Sequence, residues 1–173
     1  MSETQKITTY STICMIILRE LRIERGVHQA QVADWIGKTP SAWTKVEAGK
    51  SPLQFETFVR VCFSFQVQPS TVMATAERYA ALLRQYQWAV LATDLNLGED
   101  LLLSRAQEYW GSPGFRVSST TPAGWGMPSV LNGPLYNHDR TITLASSIRF
   151  ALDESFREIQ LNTPQLPSPP LQS

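Results

Sequence analysis

Three glycines divide the first fifty residues into segments with a helical pattern. Gly26, Gly37 and Gly49 each follow a stretch in which apolar side chains recur at three- and four-residue steps. Glycine adopts the left-handed backbone conformation that ends many helices, so each of the three marks a helix end. The pattern predicts one helix over residues 11–25 and two shorter helices before residue 50.

The segment GKTPSAWTKVEAGK, which begins at the second of these glycines, has an unusual first helical turn. Thr39 can cap the helix through its hydroxyl, which contributes about 1 kcal/mol, and Pro40 loses no hydrogen bond at the first helical position. Trp43 and Val46 are predicted to point inward, whereas Pro40 and Ser41 are small and contribute little to a core. We therefore expect the first turn to face something outside the protein.

Two further helices are predicted before residue 96. The first spans residues 54–65, and the second runs from Ser70 to about Leu95, a stretch without glycine or proline. Apolar side chains recur along the second helix at alternating four- and three-residue steps, which is typical of an amphipathic helix. The stripe consists of Val72, Ala76, Tyr79, Leu83, Tyr86 and Val90. It packs either on the protein's own core or against a second copy as a dimer seam, and the pattern leaves both interpretations open.

The C-terminal half is predicted to be helical around a long loop. Helices are expected at residues 99–109 and 146–160, on either side of a segment, residues 111–138, that holds five glycines and four prolines. This composition predicts a loop with a short β-hairpin between the sequences FRVSS and TITLA. Residues 161–173 are rich in proline and are expected to be disordered, and the polar first ten residues are expected to be frayed.

Composition indicates a globular chain and sets only broad limits on function. The 173 residues include 15 basic and 15 acidic side chains, and eight basic and six acidic ones fall in the first sixty residues. Any basic surface is therefore expected in the N-terminal third. Cys14 and Cys62 lie in apolar runs, where thiols are expected to be buried and reduced. The apolar run at residues 13–18 is too short to span a membrane, so we expect a cytoplasmic protein with no membrane partner.

Few side chains offer catalytic chemistry. His28 and His138 are the only histidines, and the sequence contains no phosphate-binding loop, nucleophile elbow or metal-ligand spacing. A turn explains His138 next to Asp139 better than a catalytic pair does. We therefore predict a protein that is not an enzyme and that holds no metal or cofactor.

The first seventy residues resemble a known DNA-binding family. They combine LR before RG, a glutamine that opens the second helix, IG at the end of that helix, a third helix of the form apolar-x-x-apolar-E-x-G, and V-x-P before the fifth helix. In this joint spacing, residues 17–73 resemble the helix-turn-helix domain of the Cro and phage-repressor class, also called the xenobiotic response element (XRE) family. The resemblance implies a mainly α fold, with a five-helix, lambda-repressor-like domain at residues 1–69 and a helical dimerisation or regulatory region at residues 70–160. Residues 74–173 resemble no family known to us.

The resemblance also implies roles for side chains around the third helix. In such domains the N-terminal end of this helix enters the major groove, so small or polar residues are needed there. The base-reading positions correspond to Pro40, Ser41, Thr44 and Lys45. Lys45 suits a contact with guanine O6 and N7. The phosphate-binding positions correspond to Gln29, Lys38, Thr39, Lys50 and Ser51. Arg22 and Glu47 occupy the positions of an internal ion pair with a structural role.

Two departures from the family pattern bear on specificity. Lys38 stands where an aliphatic residue is usual, and Pro40 and Ser41 replace longer polar side chains. Fewer direct base contacts follow, so specificity should depend more on DNA shape or on a second subunit.

Taken together, these features predict a transcriptional regulator that binds double-stranded operator DNA in the major groove as a homodimer. Pairing is expected because a single small module makes few phosphate contacts. The alternative is a protein-interaction module of the antitoxin or adaptor type, whose main partner is another protein. The zero net charge and the long loop support this alternative. A protein partner for the C-terminal region is compatible with both hypotheses.

Overall fold

A computed structural model describes residues 4–96, 98–119 and 128–164. The described residues form nine α-helices: α1 Tyr10–Glu24, α2 Gln29–Trp35, α3 Pro40–Glu47, α4 Phe55–Ser64, α5 Pro69–Gln85, α6 Leu101–Trp110, α7 Pro113–Ser119, α8 Ser146–Leu152 and α9 Glu154–Asn162. They also contain four short strands and one 3-10 turn: β1 Ile7–Thr9, β2 Ala89–Leu91, β3 Leu135–Tyr136, β4 Ile142–Thr143 and the turn Val130–Asn132. The protein is mainly helical, as predicted. None of the helices described has the length and apolar character needed to cross a membrane.

The three predicted helix ends are confirmed. The helices α1, α2 and α3 end shortly before Gly26, Gly37 and Gly49, whose φ angles are +64°, +69° and +75°. A side chain with a Cβ atom rarely adopts such angles, so glycine lets the chain leave each helix and turn. The predicted cap of α3 is also present. The Thr39 hydroxyl oxygen accepts a hydrogen bond from the Ala42 N–H group at 3.1 Å.

The central element of the fold is α1. Its residues 12–18 are all buried, because α5 packs along one side while α6 and the 3-10 turn of the C-terminal half pack on others. The core therefore continues across residue 69, from Ile13 in α1 to Ile148 in α8. Cys14 and Cys62 lie in this core as free, buried cysteines, as expected.

The fifth helix is shorter than predicted, and four members of its apolar stripe are buried in this chain's own core. It ends at Gln85 instead of near Leu95, because Gln87 takes a positive φ of 64° and the chain turns into β2. Val90 consequently lies in a strand, and Tyr86 is 45% exposed beyond the helix end. The other members of the stripe are buried inside this chain: Val72, Ala76, Tyr79 and Leu83. Because α5 packs on α1, these four side chains belong to the protein's own core and are not exposed to solvent.

The strands β1 and β2 form a parallel pair that the sequence pattern did not predict. Ile7 pairs with Ala89 and Thr9 with Leu91, so the expectation of a frayed start is wrong for these N-terminal residues. Each strand is only three residues long. Parallel partners need a long connection, which here comprises five helices, and this leaves no local signal in the sequence.

In the C-terminal half, two predicted elements are wrong in detail. The sequence FRVSS lies in α7 and is not a strand. The hairpin instead pairs β4, which lies within TITLA, with β3, and Tyr136 is opposite Ile142. The last predicted helix is divided into α8 and α9 at Asp153, whose carboxylate accepts a hydrogen bond from the Phe156 N–H group at 3.0 Å. An aspartate side chain can cap a new helix at its own position, and the apolar pattern, which continues through Asp153, does not show whether it does so. Residues 120–127 of the predicted loop and 165–173 of the predicted tail lie outside the described residues.

Candidate nucleic-acid interface

The helix α3 has one buried face and one exposed polar face. The side chains that point into the core are Trp43, Val46 and Glu47. The side chains exposed to solvent include all four positions assigned to base reading: Pro40, Ser41, Thr44 and Lys45. The helical period of 3.6 residues separates the two sets. The four base-reading candidates therefore share one accessible strip, which we call the α3 strip.

The residues assigned to phosphate binding lie at both ends of α3. Lys38 and Thr39 precede the helix and are exposed, while Lys50 and Ser51 follow it. The N–H groups of Lys50 and Ser51 bond to the Lys45 carbonyl oxygen at 2.8 and 3.2 Å, which folds this segment back onto the helix. With eight residues, the helix is about 12 Å long. The two lysines that flank it therefore bracket the α3 strip.

Gln29 connects α2 to the α3 strip. It is the first residue of α2, and its side-chain oxygen accepts a hydrogen bond from the Thr44 hydroxyl at 3.3 Å. The structure thus brings together a residue assigned to phosphate binding and one assigned to base reading. The contact orients the Gln29 amide alongside the surface that would meet DNA.

Behind the α3 strip, Glu47 forms a buried ion pair with α1. The Nε and Nη2 atoms of Arg22 both lie 2.6 Å from Glu47 Oε1. The Glu47 side chain is fully buried, and that of Arg22 is 12% exposed. The two residues assigned to an internal ion pair are therefore in direct contact, and they tie the end of α3 to α1.

Arg19 joins this cluster, although sequence reasoning did not assign it a role. Its Nε atom lies 3.8 Å from Glu47 Oε1, and its Nη1 donates a hydrogen bond to the Glu47 backbone carbonyl at 3.2 Å. Burial lowers the pKa of Arg19, and the Glu47 carboxylate opposes that shift. Its position one turn before Arg22 on the same face of α1 was the available signal.

The C-terminal half holds the end of α3 through α6. Gln107 Nε2 donates a hydrogen bond to the Ala48 carbonyl oxygen at 2.9 Å. Trp110 lies under the Arg19 guanidinium, 3.8 Å from its central carbon to the ring centre. Leu103 packs against Gly49, where a Cβ atom would overlap its methyl groups. These contacts join residues more than fifty positions apart, so no local pattern indicated them.

Replacing Gly49 by alanine should lower the free energy of unfolding by about 2 to 3 kcal/mol. The positive φ of this residue costs a side chain with a Cβ atom about 1 to 2 kcal/mol. The added methyl group would also overlap Leu103 Cδ1 and force a local shift. Equilibrium unfolding in urea measures the change.

Gly37→Ala is the matched control for this substitution. Gly37 has nearly the same φ, +69°, but no atom lies within 4 Å of the place its Cβ would take. We expect G37A to cost about 1 to 2 kcal/mol, the backbone cost alone. A G49A protein as stable as G37A would contradict a tight contact between α6 and the end of α3. When Leu103→Ala is also present, G49A and G37A should lower the free energy of unfolding by the same amount, each compared with L103A alone.

An open cleft of about 740 Å³ lies next to the end of α3. Lys50 and Ser51 line it from the α3–α4 segment, and Asp100 lines it from the start of α6. The Asp100 carboxylate already accepts a hydrogen bond from the Thr12 hydroxyl at 2.6 Å, so it serves the fold. Within residues 4–96, 98–119 and 128–164, no group of histidine, cysteine, aspartate or glutamate side chains could hold a metal ion.

Comparison with known families supports the helix-turn-helix interpretation. Residues 17–86 match the model of a family described as a helix-turn-helix domain. The match covers the second half of α1 and all of α2 to α5, so the resemblance deduced from the sequence is confirmed for this part of the chain. No curated protein matches the chain, and no solved structure matches it. Helix-turn-helix domains place one helix in the major groove, and the match therefore indicates a DNA-binding protein.

Proposed function

We propose that this helix-turn-helix protein is a sequence-specific regulator of transcription of the XRE family and that it binds operator DNA as a homodimer. The α3 strip is the observation that carries the proposal. It leaves small and polar side chains accessible on a helix whose other face is locked into the core. Any amphipathic surface helix is divided in this way. DNA binding is favoured here because the exposed face belongs to the third helix of a matched helix-turn-helix domain and begins with small side chains.

Each part of the α3 strip has a role in this proposal. Pro40 and Ser41 are small, so the first turn can approach the floor of the major groove without steric conflict. Lys45 lies one turn further along and donates to guanine O6 and N7. Thr44 contacts a thymine methyl group or a phosphate, and its hydrogen bond to Gln29 holds that amide towards the DNA backbone. Contacts from Gln29 and the flanking lysines fix the register and carry no sequence information.

Homodimer formation follows from the small number of charges on one domain. In the described part of the chain, two exposed lysines, Lys38 and Lys50, flank the α3 strip, whereas useful operator affinity requires more phosphate contacts than two. Two copies related by a two-fold axis double the contacts and bind half-sites about one helical turn apart, or a multiple of that spacing. The operator should accordingly be a palindrome or close to one.

Selection from a random-sequence duplex library tests the proposal directly. The full chain should enrich a two-fold symmetric motif, and titration of the enriched duplex should show a strong dependence on salt. Four phosphate contacts, two from each copy, predict a slope of log affinity against log salt of about −4. Affinity should therefore fall by about 200-fold between ~50 and ~200 mM salt. A library without enrichment, or an affinity that stays flat with salt, would count against groove binding.

The equal numbers of basic and acidic residues favour a second candidate function, binding to another protein. A helix-turn-helix scaffold whose docking surface is used for another protein needs no positive net charge. In that case the α3 strip would be dispensable for the main interaction. The Lys45 substitution described in the Discussion separates the two functions.

A further inference from the structure

The helix α4 carries an apolar stripe along the edge of its core-facing side, with two exposed phenylalanine rings. Phe55 is 79% exposed and Phe63 is 65% exposed, and the partly buried Val59 lies between them. The three residues are spaced at i, i+4 and i+8, so they form one line along the helix. The side chains of α4 that enter the core are Thr57, Phe58, Val61 and Cys62. We call the line of Phe55, Val59 and Phe63 the α4 stripe.

The α4 stripe is flanked by one charge of each sign. Glu56 and Arg60 form an ion pair at 2.8 Å, and their side chains are 76% and 58% exposed. Both residues lie on the same flank of the stripe, one turn apart, because they are separated by four positions. An apolar line with a polar rim is typical of a protein-binding surface.

The described C-terminal elements pack elsewhere. The main contacts of α4 are with α2 and α5, while the 3-10 turn and α6 pack against α1 and α8 packs against α6. Two phenylalanine rings therefore remain open to solvent on the helix-turn-helix domain itself. Two aromatic rings in line on one helix reach the size of the largest apolar patch on a typical monomer, and such patches are often functional.

We propose that the α4 stripe binds the α4 stripe of a second copy of this chain, with the two helices antiparallel about a two-fold axis at Val59. The inference rests on the proposed function, for which it supplies the dimer interface. In this arrangement Phe55 of one copy faces Phe63 of the other, because both are four residues from Val59. An isologous interface of this kind requires a self-complementary patch, and the stripe is symmetric about its centre.

The flanking charges are complementary in the same arrangement. A two-fold axis perpendicular to an antiparallel pair keeps each flank opposite the equivalent flank of the second copy. Glu56 lies three residues before Val59, and Arg60 lies one residue after it. Because the helices are antiparallel, the positions of Glu56 in one copy and Arg60 in the other differ by about 3 Å along the helix axis. Long side chains span this offset easily. Each ion pair within a copy can therefore exchange with one between copies.

The size of the α4 stripe predicts a weak interface. Two exposed aromatic rings offer roughly 300 Å² of surface on each copy, which is well below the roughly 800 Å² per partner of a stable complex. The dimer should therefore be sparsely populated at low concentration in free solution. It should form readily when two domains bind adjacent half-sites, because DNA raises their effective concentration.

Disulfide trapping of Val59→Cys in the full chain, without DNA, tests the arrangement. The two-fold axis places residue 59 of both copies side by side, so mild oxidation should yield a covalent dimer. Cys14 and Cys62 should stay silent, because burial raises the pKa of their thiols to about 12 and about 11. The matched control is Glu77→Cys, at an exposed position on α5 away from the stripe.

We expect V59C to form covalent dimer several-fold faster than E77C at the same protein concentration. Adding Phe63→Glu should abolish the difference, and far-ultraviolet circular dichroism checks that this exposed substitution leaves the fold intact. Glu56→Arg on V59C should slow dimer formation, whereas the charge swap E56R/R60E should restore it, because the complementarity is then reversed on both copies.

Three results would overturn the arrangement. The first is a V59C rate no higher than that of E77C, and the second is a rate that F63E leaves unchanged. The third is a dimer that appears only after residues 165–173 are deleted, since the chain's own tail would then be the occupant. None of these measurements contains DNA, so failure here with successful operator selection removes the interface and leaves the proposed function standing.

Discussion

The variant Lys45→Glu should bind the selected operator at least ~100-fold more weakly than the original protein. A lysine contact to a guanine edge contributes about 1 to 3 kcal/mol of discrimination. Reversing the charge removes that contact and adds repulsion from the nearby phosphates. The Lys45 side chain is exposed, and no carboxylate of the described residues pairs with it. The substitution should therefore lower folding stability by only about 1 kcal/mol, because it places a negative charge in the last turn of α3.

The control for this measurement is Lys6→Glu. Lys6 is also exposed but precedes β1, far from α3 in the sequence, and the substitution changes the net charge of the protein by the same amount. Its affinity should fall only slightly, through the change in overall charge. Equal losses for K45E and K6E would mean that the protein responds to net charge alone, which contradicts docking of α3 in the groove.

The same variant separates the two candidate functions. If another protein is the main partner and binds a different face, K45E should leave that complex intact, although the variant no longer binds DNA. A K45E protein that keeps full operator affinity would remove Lys45 from the base-reading set. It would move the interface away from the α3 strip altogether.

Glu47→Gln should lower the free energy of unfolding by about 3 to 5 kcal/mol, the cost of breaking a well-buried ion pair. The Glu47 carboxylate is fully buried and is the only negative charge that an ion pair places beside Arg22 and Arg19 in the described residues. Glutamine keeps the shape and one acceptor oxygen but leaves the Arg22 guanidinium without its ion-pair partner and Arg19 with only the weaker attraction of Glu20. Equilibrium unfolding in urea measures the change.

Glu56→Gln is the control for the buried pair. It also removes a carboxylate 2.8 Å from an arginine, but both side chains are mostly exposed. Exposed pairs of this kind contribute only about 0.3 to 0.5 kcal/mol within a helix. A cost for E47Q below about 1 kcal/mol would mean that the cluster is not needed to hold α3 on α1.

The α3 strip could be predicted because its signals are local. Thr39, Pro40 and Gly49 set the start and end of the helix through hydrogen bonds and backbone angles confined to a few residues. The spacing of Trp43 and Val46 then decides which face is buried, and the other face is exposed by elimination. The roles of the exposed side chains came from the family resemblance and await the experiments above.

The dimer surface could not be predicted in the same way. The spacing along α5 was compatible with either a core or a seam, and the packing of α1 against Val72 and Leu83 decided for the core. The exposure of Phe55 and Phe63 has no signal in the sequence, since Phe58 and Val61 on the same helix already account for a core-facing stripe. They are exposed because the described elements of the C-terminal half pack against α1 and α6 and not against α4.

By itself, the sequence determined where the first helices end, which face of each is apolar, and that small residues begin the third. These features depend on neighbours within one or two helical turns. Only the tertiary structure decided that β1 pairs with β2, that α5 stops at Gln85, that Arg19 joins the Glu47 cluster and that α6 holds the end of α3. The physical reason is that these contacts join segments tens of residues apart, whose pairing depends on the shape of the whole core and not on any local preference.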